Sequence, residues 1–194
     1  TKAGAGAKVA QQIDLSKKLT QIVPSPQAQE AQNCLQSGRL FQDAAFPPND
    51  RSLNNGPRSS DLNELNFTDW KPLHEIYKKP AIFVDGTSAP DVRQGRLGSC
   101  YLLAGLSALA ESPKRIQDVF LTKEINAAHY YSVKILYRGA WREVIVDDYI
   151  PMVLEEEEDV AFSHGVDEEV WIMILEKAWA KLYGSFSTVI AGFG

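Results

Sequence analysis

Along the 194 residues the apolar positions change period several times, and each change marks an element. Residues Thr1 to Lys8 are small and glycine-interrupted and read as a flexible lead. Val9, Ile13, Leu15, Leu19 and Ile22 then recur at partly helical spacing, which predicts a helix from Lys8 to Val23. Ser25-Pro26 and Gly38 bracket a second helix, with a cap and proline at its start and a glycine at its end, turning Ala28, Ala31, Cys34 and Leu35 inward. From Phe46 to Pro80 no period is sustained among the Pro, Asn, Ser and Asp residues, which predicts a long irregular wrap. Ala81 to Val84 reads as a short strand, and Asp85 to Asp91 as a turn-rich loop. From Gln94 to Glu111 a glycine-punctuated turn runs into an apolar helix, and Ser112-Pro113 restarts a shorter one to Phe120. Tyr131, Val133, Ile135 and Tyr137 alternate along a strand, Arg138-Gly139 turns it, and Trp141 to Val146 returns as a hairpin. The acidic run Glu155 to Asp159 repels itself and predicts a solvated loop. Glu168 to Tyr183 predicts an amphipathic helix with Trp171, Ile174, Leu175, Ala178 and Leu182 on its stripe and acidic residues in its first turn. The pattern as a whole is α+β, mainly helical with one small antiparallel hairpin.

Composition narrows the function classes. With 44% hydrophobic and 23% charged residues, the chain is long enough to bury a sizeable core. A formal net charge of −5, without a basic cluster, argues against a nucleic-acid partner bound through a basic surface. There is no apolar run of about 18 residues, so no membrane span is expected, and no signal-peptide pattern is visible. The chain starts at Thr1 rather than methionine, so a missing leader carries little weight. Two cysteines, Cys34 and Cys100, cannot make a disulfide framework and fit a reducing, cytoplasmic setting.

The candidate chemistry sits at the start of the apolar helix. Ser99 can cap it, which puts Cys100 in the first turn, where unpaired N–H groups and the positive end of the helix dipole favour a thiolate. Gln94, six residues upstream across two glycines, can fold back as a donor to a developing oxyanion. The rival reading of Cys100 is a buried structural cysteine in a core helix; Cys34 reads as a small core residue. Asp147 and Asp148 point to opposite faces of a strand, so they cannot jointly grip one proton, and a structural role is expected of them. His74, His129 and His164 read as surface or packing residues, since nothing in the sequence supplies them with a partner.

The segment Gln94-Gly95-x-Leu97-Gly98-x-Cys100-x-Leu102-Leu103 resembles the nucleophile motif of the calpain family, papain-like cysteine proteases, which reads Q-G-x-L-G-D-C-W-L-L. Ser99 stands for the usual aspartate and Tyr101 for the usual tryptophan; the Gly-Ser-Cys triplet is that of papain. The segment from Cys34 to Pro47 looks like the start of a calpain core, and Trp70-Lys71-Pro72 with Glu75-Ile76 is similar to the W-x-R-P-x-E-I element. Trp141 to Pro151 resembles W-x-x-V-V-I-D-D-x-L-P, and Glu169-x-Trp171 with Leu175 to Lys181 resembles E-F-W-x-x-L-L-E-K-A-Y-A-K.

The resemblance implies a papain-like half-core built on a central nucleophile helix. It divides the chain into an N-terminal extension, residues 1–32, and a first protease subdomain, 33–194, with a hinge in the glycine-rich tail. It carries the nucleophile role to Cys100 and the oxyanion-hole role to Gln94. It also implies a calcium ion held by the backbone carbonyls of Val84 and Gly86 and the carboxylates of Asp91 and Glu169, with Asp85 or Glu168 as substitutes. The catalytic histidine and asparagine of such enzymes lie in a second subdomain, so this half is expected to be inactive alone and to act on protein substrates only with that partner. The alternative is a pseudoprotease module with a binding or structural role.

Overall fold

The computed structural model describes residues 21–54, 62, 65–84, 93, 95, 99–154, 157–166 and 168–190. The predicted first helix lies outside these residues up to position 20, and its end is corrected: Ile22–Val23 form strand β1. These two β-branched residues pair in parallel with Trp141 and Arg142, completing an edge that a helix would leave open.

The second helix forms, but its cap is Gln27 rather than Ser25, whose hydroxyl accepts from the Gln27 amide at 3.2 Å. α1, Ala28–Ser37, is closed by Gly38 in the left-handed conformation at φ 68°, where a glycine carries no steric cost. Ala31 and Cys34 are buried, with Ala28 and Leu35 packed beside them. The division expected between residues 32 and 33 falls inside this helix.

The predicted wrap contains more structure than its composition announces. A short helix α2, Asp50–Leu53, is capped by the Asn49 side chain, which accepts from the Arg51 amide at 3.0 Å. Strand β2, Phe67–Pro72, leads straight into the one-turn helix α3, Leu73–Ile76. At Ala81 the expected strand is reduced to an isolated bridge with Glu169. Helices α4, Cys100–Ala110, and α5, Pro113–Val119, follow close to their predicted bounds.

The hairpin consists of β3, Tyr130–Tyr137, and β4, Ala140–Asp147, in unbroken register from Tyr130↔Asp147 to Tyr137↔Ala140. Arg138 at φ 50° and Gly139 at φ 76° form the left-handed two-residue turn that matches strand twist. With β1 these strands make one sheet, in the order β1-β4-β3. Its two faces are read by parity: Tyr131, Val133, Val144 and Val146 join the main core, while Tyr130 and Ile145 pack with α1 and Phe41. A second sheet, β2-β5-β6, is built from β5, Tyr149–Leu154, and β6, Glu158–Val160. The expected solvated loop at Glu158 and Asp159 is therefore a strand end, where Lys71 neutralises Glu158. The single small hairpin is thus corrected to an α+β body with two three-stranded sheets.

Helix α6, Trp171–Tyr183, is the most enclosed element. It carries nine buried residues, Glu176 and Lys177 among them, so it is apolar nearly all round rather than striped. Each large apolar side chain buried here contributes about 1.5–3 kcal/mol. The expected acidic first turn is also corrected, because Glu168 adopts φ 65° and the helix starts only at Trp171. Lys181 fastens its last turn to the N-terminal segment, donating to Asp43 Oδ2 at 2.7 Å and to the Ile145 carbonyl at 2.5 Å. No helix among the described residues is long and apolar enough to cross a membrane.

Candidate active site

Cys100 is the first residue of α4 and is exposed, although the helix behind it buries Leu103, Leu106 and Ala110. It therefore presents its sulfur at a helix mouth, where N–H groups lack intrahelical acceptors. Cys34 is the opposite case. It is buried beside Glu30, and burial followed by that neighbour pushes its thiol above the ordinary range.

Ser99 occupies the cap position, but its hydroxyl does not cap the helix. It turns inward and donates to Glu176 Oε1 at 2.5 Å. Glu176 also accepts from the Ser163 hydroxyl at 3.0 Å and, through Oε2, from the Ser163 amide at 2.9 Å. Burial pushes this carboxyl above the usual range, and the Ser99 and Ser163 donors pull it back. The result is a polar knot that ties the root of Cys100 to α6 and to the segment around Ser163.

The same segment holds the chain upstream of the cysteine. Arg93 and His164 exchange backbone hydrogen bonds at 3.0 and 3.1 Å. Gly95 lies so close to Phe162 that an added Cβ would sit 2.1 Å from its carbonyl carbon, so only glycine fits there without a shift. Gln94, between these two anchored residues, lies outside the described residues, as do Leu97 and Gly98.

Two residues that depart from the motifs of the resembling family meet each other. Tyr101 stands where those motifs carry tryptophan, and Trp179 where they carry tyrosine. Trp179 Nε1 donates to the Tyr101 hydroxyl at 3.0 Å, joining α4 to α6.

Of the expected calcium ligands, the structure brings Val84 and Glu169 together and leaves Gly86 and Asp91, with Asp85, outside the described residues. Glu169 is buried; its Oε1 accepts from the Val84 amide at 2.7 Å and its Oε2 from Trp171 Nε1 at 2.9 Å. A buried carboxylate beside a backbone segment is the oxygen chemistry that a calcium ion prefers. Glu168 is directed elsewhere, accepting from the amides of Lys78 and Lys79.

The paired aspartates diverge as expected. Asp147 forms a fully buried ion pair with Lys177, whose ammonium also donates to the carbonyls of Asp147 at 3.2 Å and Tyr149 at 2.6 Å. Asp148 turns the other way to His129 Nδ1 at 2.9 Å. Burial pushes the Asp148 carboxyl up, and His129 opposes it. His129 in turn stacks edge-on against His74. His164 Nδ1 faces the Phe162 carbonyl at 3.4 Å. Among the described residues no histidine hydrogen-bonds Cys100.

Glu176, Ser163 and the partnership of His129 with Asp148 were not picked out from the sequence. The clue to Glu176 was its setting, a charged pair inside an otherwise apolar helix.

A comparison with protein-family profiles matches residues 41–193 to the calpain family cysteine protease. Among curated proteins, the chain is 37% identical over 160 residues to the calpain-type cysteine protease ADL1 of Oryza sativa subsp. japonica, covering 79% of this chain and 7% of that protein. It is 33% identical over 186 residues to Calpain-A of Drosophila melanogaster, covering 92% and 22%. It is 34% identical over 171 residues to the Calpain-1 catalytic subunit of Homo sapiens, covering 82% and 22%. The chain thus spans less than a quarter of the length of these relatives.

Proposed function

This chain belongs to the calpain family of cysteine proteases, and from that membership we propose that it is the nucleophile-bearing half of a thiol endopeptidase acting on protein substrates. Cys100 attacks the scissile carbonyl, and Gln94 donates to the oxyanion that forms. The observation that carries this reading is the exposed sulfur of Cys100 on a helix otherwise turned into the core.

An acyl transfer by a thiol needs a base beside the sulfur and an orienting group behind that base. His74, His129 and His164 make their contacts elsewhere. We therefore assign the base to a second subdomain of papain-like type, which supplies histidine and asparagine and forms the other wall of the cleft. The family match over residues 41–193 supports a first protease subdomain that fills most of the chain, with α1 packed against it. Calcium is the proposed cofactor. Glu169 and the Val84 carbonyl, with Gly86 and Asp91, would hold it, and it would supply a charge that fixes the loop leading to Gln94. Two free cysteines support a reducing, cytoplasmic location.

The pseudoprotease alternative rests on the N-terminal extension, on Ser99 and Tyr101, and on the histidine and asparagine that these 194 residues do not supply. Both departures have local partners, Glu176 and Trp179, and so report repacking rather than lost chemistry. The experiment is peptide hydrolysis by the parent protein that contains this chain. Calcium-stimulated cleavage that falls by roughly 1,000-fold or more in Cys100→Ala supports the enzyme. A parent protein that cleaves nothing, or cleaves equally well without Cys100, rejects it.

A further inference from the structure

The cluster formed by His74, His129 and Asp148 is unrelated to the proposed nucleophile and to the expected calcium ligands. Strand register brings it together. β3 and β4 pair Tyr130 with Asp147, and one step beyond that ladder sets His129 opposite Asp148. β2 and β5 pair Pro72 with Tyr149, and the residues beyond it are Leu73 and His74 at the start of α3. Two ladders from two different sheets therefore end at one corner.

The donor atoms of the three side chains all lie within 4.8 Å of one another. His129 Nδ1 and Asp148 Oδ2 are already 2.9 Å apart, and the rings of His74 and His129 are edge-to-face at 5.5 Å. A tetrahedral ion with bonds of about 2.0–2.1 Å holds its ligand atoms about 3.3 Å apart. The pair needs to open by a few tenths of an ångström, and the exposed His74 ring needs to swing inward. His129 is held ready for this at φ 54°, a conformation that costs energy in a side-chain-bearing residue. Beside the cluster, the Tyr131 hydroxyl is buried without a hydrogen-bond partner among the described residues, and it lies within electrostatic range of Asp148.

We propose that His74, His129 and Asp148 form a binding site for a divalent transition-metal ion of the zinc class. Two imidazoles and one carboxylate match the ligand preference of zinc, cobalt and nickel, and contrast with the all-oxygen shell that calcium prefers. With three protein ligands, the ion keeps a position for water. Its place in the fold gives it a mechanical role: it fastens α3, the turn before β3 and the β4–β5 corner to one point, locking the two sheets together. An ion that binds only the folded state stabilises it by mass action.

The test uses the full chain in a Cys100→Ser background, which removes the exposed thiol as a competing ligand. Zinc is titrated by calorimetry, and the histidine ring nitrogens are followed by NMR. The expected result is one equivalent of zinc, with the rings of His74 and His129 shifted and that of His164 unmoved. His74→Ala changes an exposed side chain, and His129→Asn keeps a residue that tolerates positive φ. Each is expected to weaken binding by roughly 10-fold or more while far-UV circular dichroism is unchanged. No zinc binding, or binding in either variant as tight as in the Cys100→Ser chain, overturns the proposal.

Discussion

Glu176 and Lys177 are neighbours in sequence, and both are buried charges, yet they are stabilised in opposite ways. Glu176 faces only neutral donors, from Ser99 and Ser163, so burial wins and its carboxyl titrates high. A raised folded-state pKa means that the folded protein holds this proton more tightly than the unfolded chain. The contribution is complete below the unfolded value of 4.5 and is lost as pH rises through the folded value. Glu176→Gln keeps the knot, because its oxygen accepts from the Ser163 amide while its two N–H groups donate to the two hydroxyls. Urea denaturation should therefore show the variant equal to wild type at acid pH and about 1–3 kcal/mol more stable once the pH has risen through the carboxyl's raised folded value. An unchanged difference across pH would show that Glu176 does not titrate in this window. Lys177 is the contrary case, with a carboxylate and two carbonyls around its ammonium. Lys177→Met leaves Asp147 buried without its counter-charge and should cost about 3–5 kcal/mol in the same measurement.

At the scale of elements, α4 and α6 meet through Tyr101 and Trp179, a tyrosine–tryptophan pair exchanged relative to the family motifs. Tyr101→Trp alone puts two indoles at this contact and should cost about 1–3 kcal/mol. Adding Trp179→Tyr should restore most of it, because contacting residues couple. Thermal denaturation of the two single variants and the double variant checks this, and strictly additive effects would deny the coupling. Gly95→Ala drives a Cβ into the backbone of Phe162. If the parent protein is the proposed protease, the variant should lower its kcat about 10–100-fold without unfolding it, by displacing the segment before Cys100.

The elements that were legible in the sequence are those whose signals are local. Alternation broken only at Leu136, with the Arg138-Gly139 turn, gave away the β3–β4 hairpin, and Pro26 with Gly38 bracketed α1. β1 and β2 were missed because their reason for existing is a partner far along the chain, Trp141 for Ile22 and Pro151 for Trp70, whereas β5 and β6 pair with each other close in sequence across an acidic run that reads as a loop. Cys100 was legible as a helix-mouth cysteine from the turn before it. The way its surroundings are held was not, since Ser99 was expected to cap α4 and instead reaches across to a different helix.

At the scale of the molecule, α6 is the post to which the other parts are fastened. Glu176 holds the root of α4, Lys177 the β4–β5 corner, Lys181 the N-terminal segment, and Trp171 the carboxylate of Glu169. Against these fixed points Cys100 is exposed at the start of α4, while Cys34 is buried. If the Cys100 thiol is the nucleophile, turnover passes through an acyl group carried on its sulfur. The direct test is to mix the parent protein with a peptide ester, quench in acid within the first turnover and locate the acyl adduct by mass spectrometry. The account predicts one acyl group per chain, on Cys100 and not on Cys34. Hydrolysis with no adduct on Cys100, or with the adduct on Cys34, would contradict it.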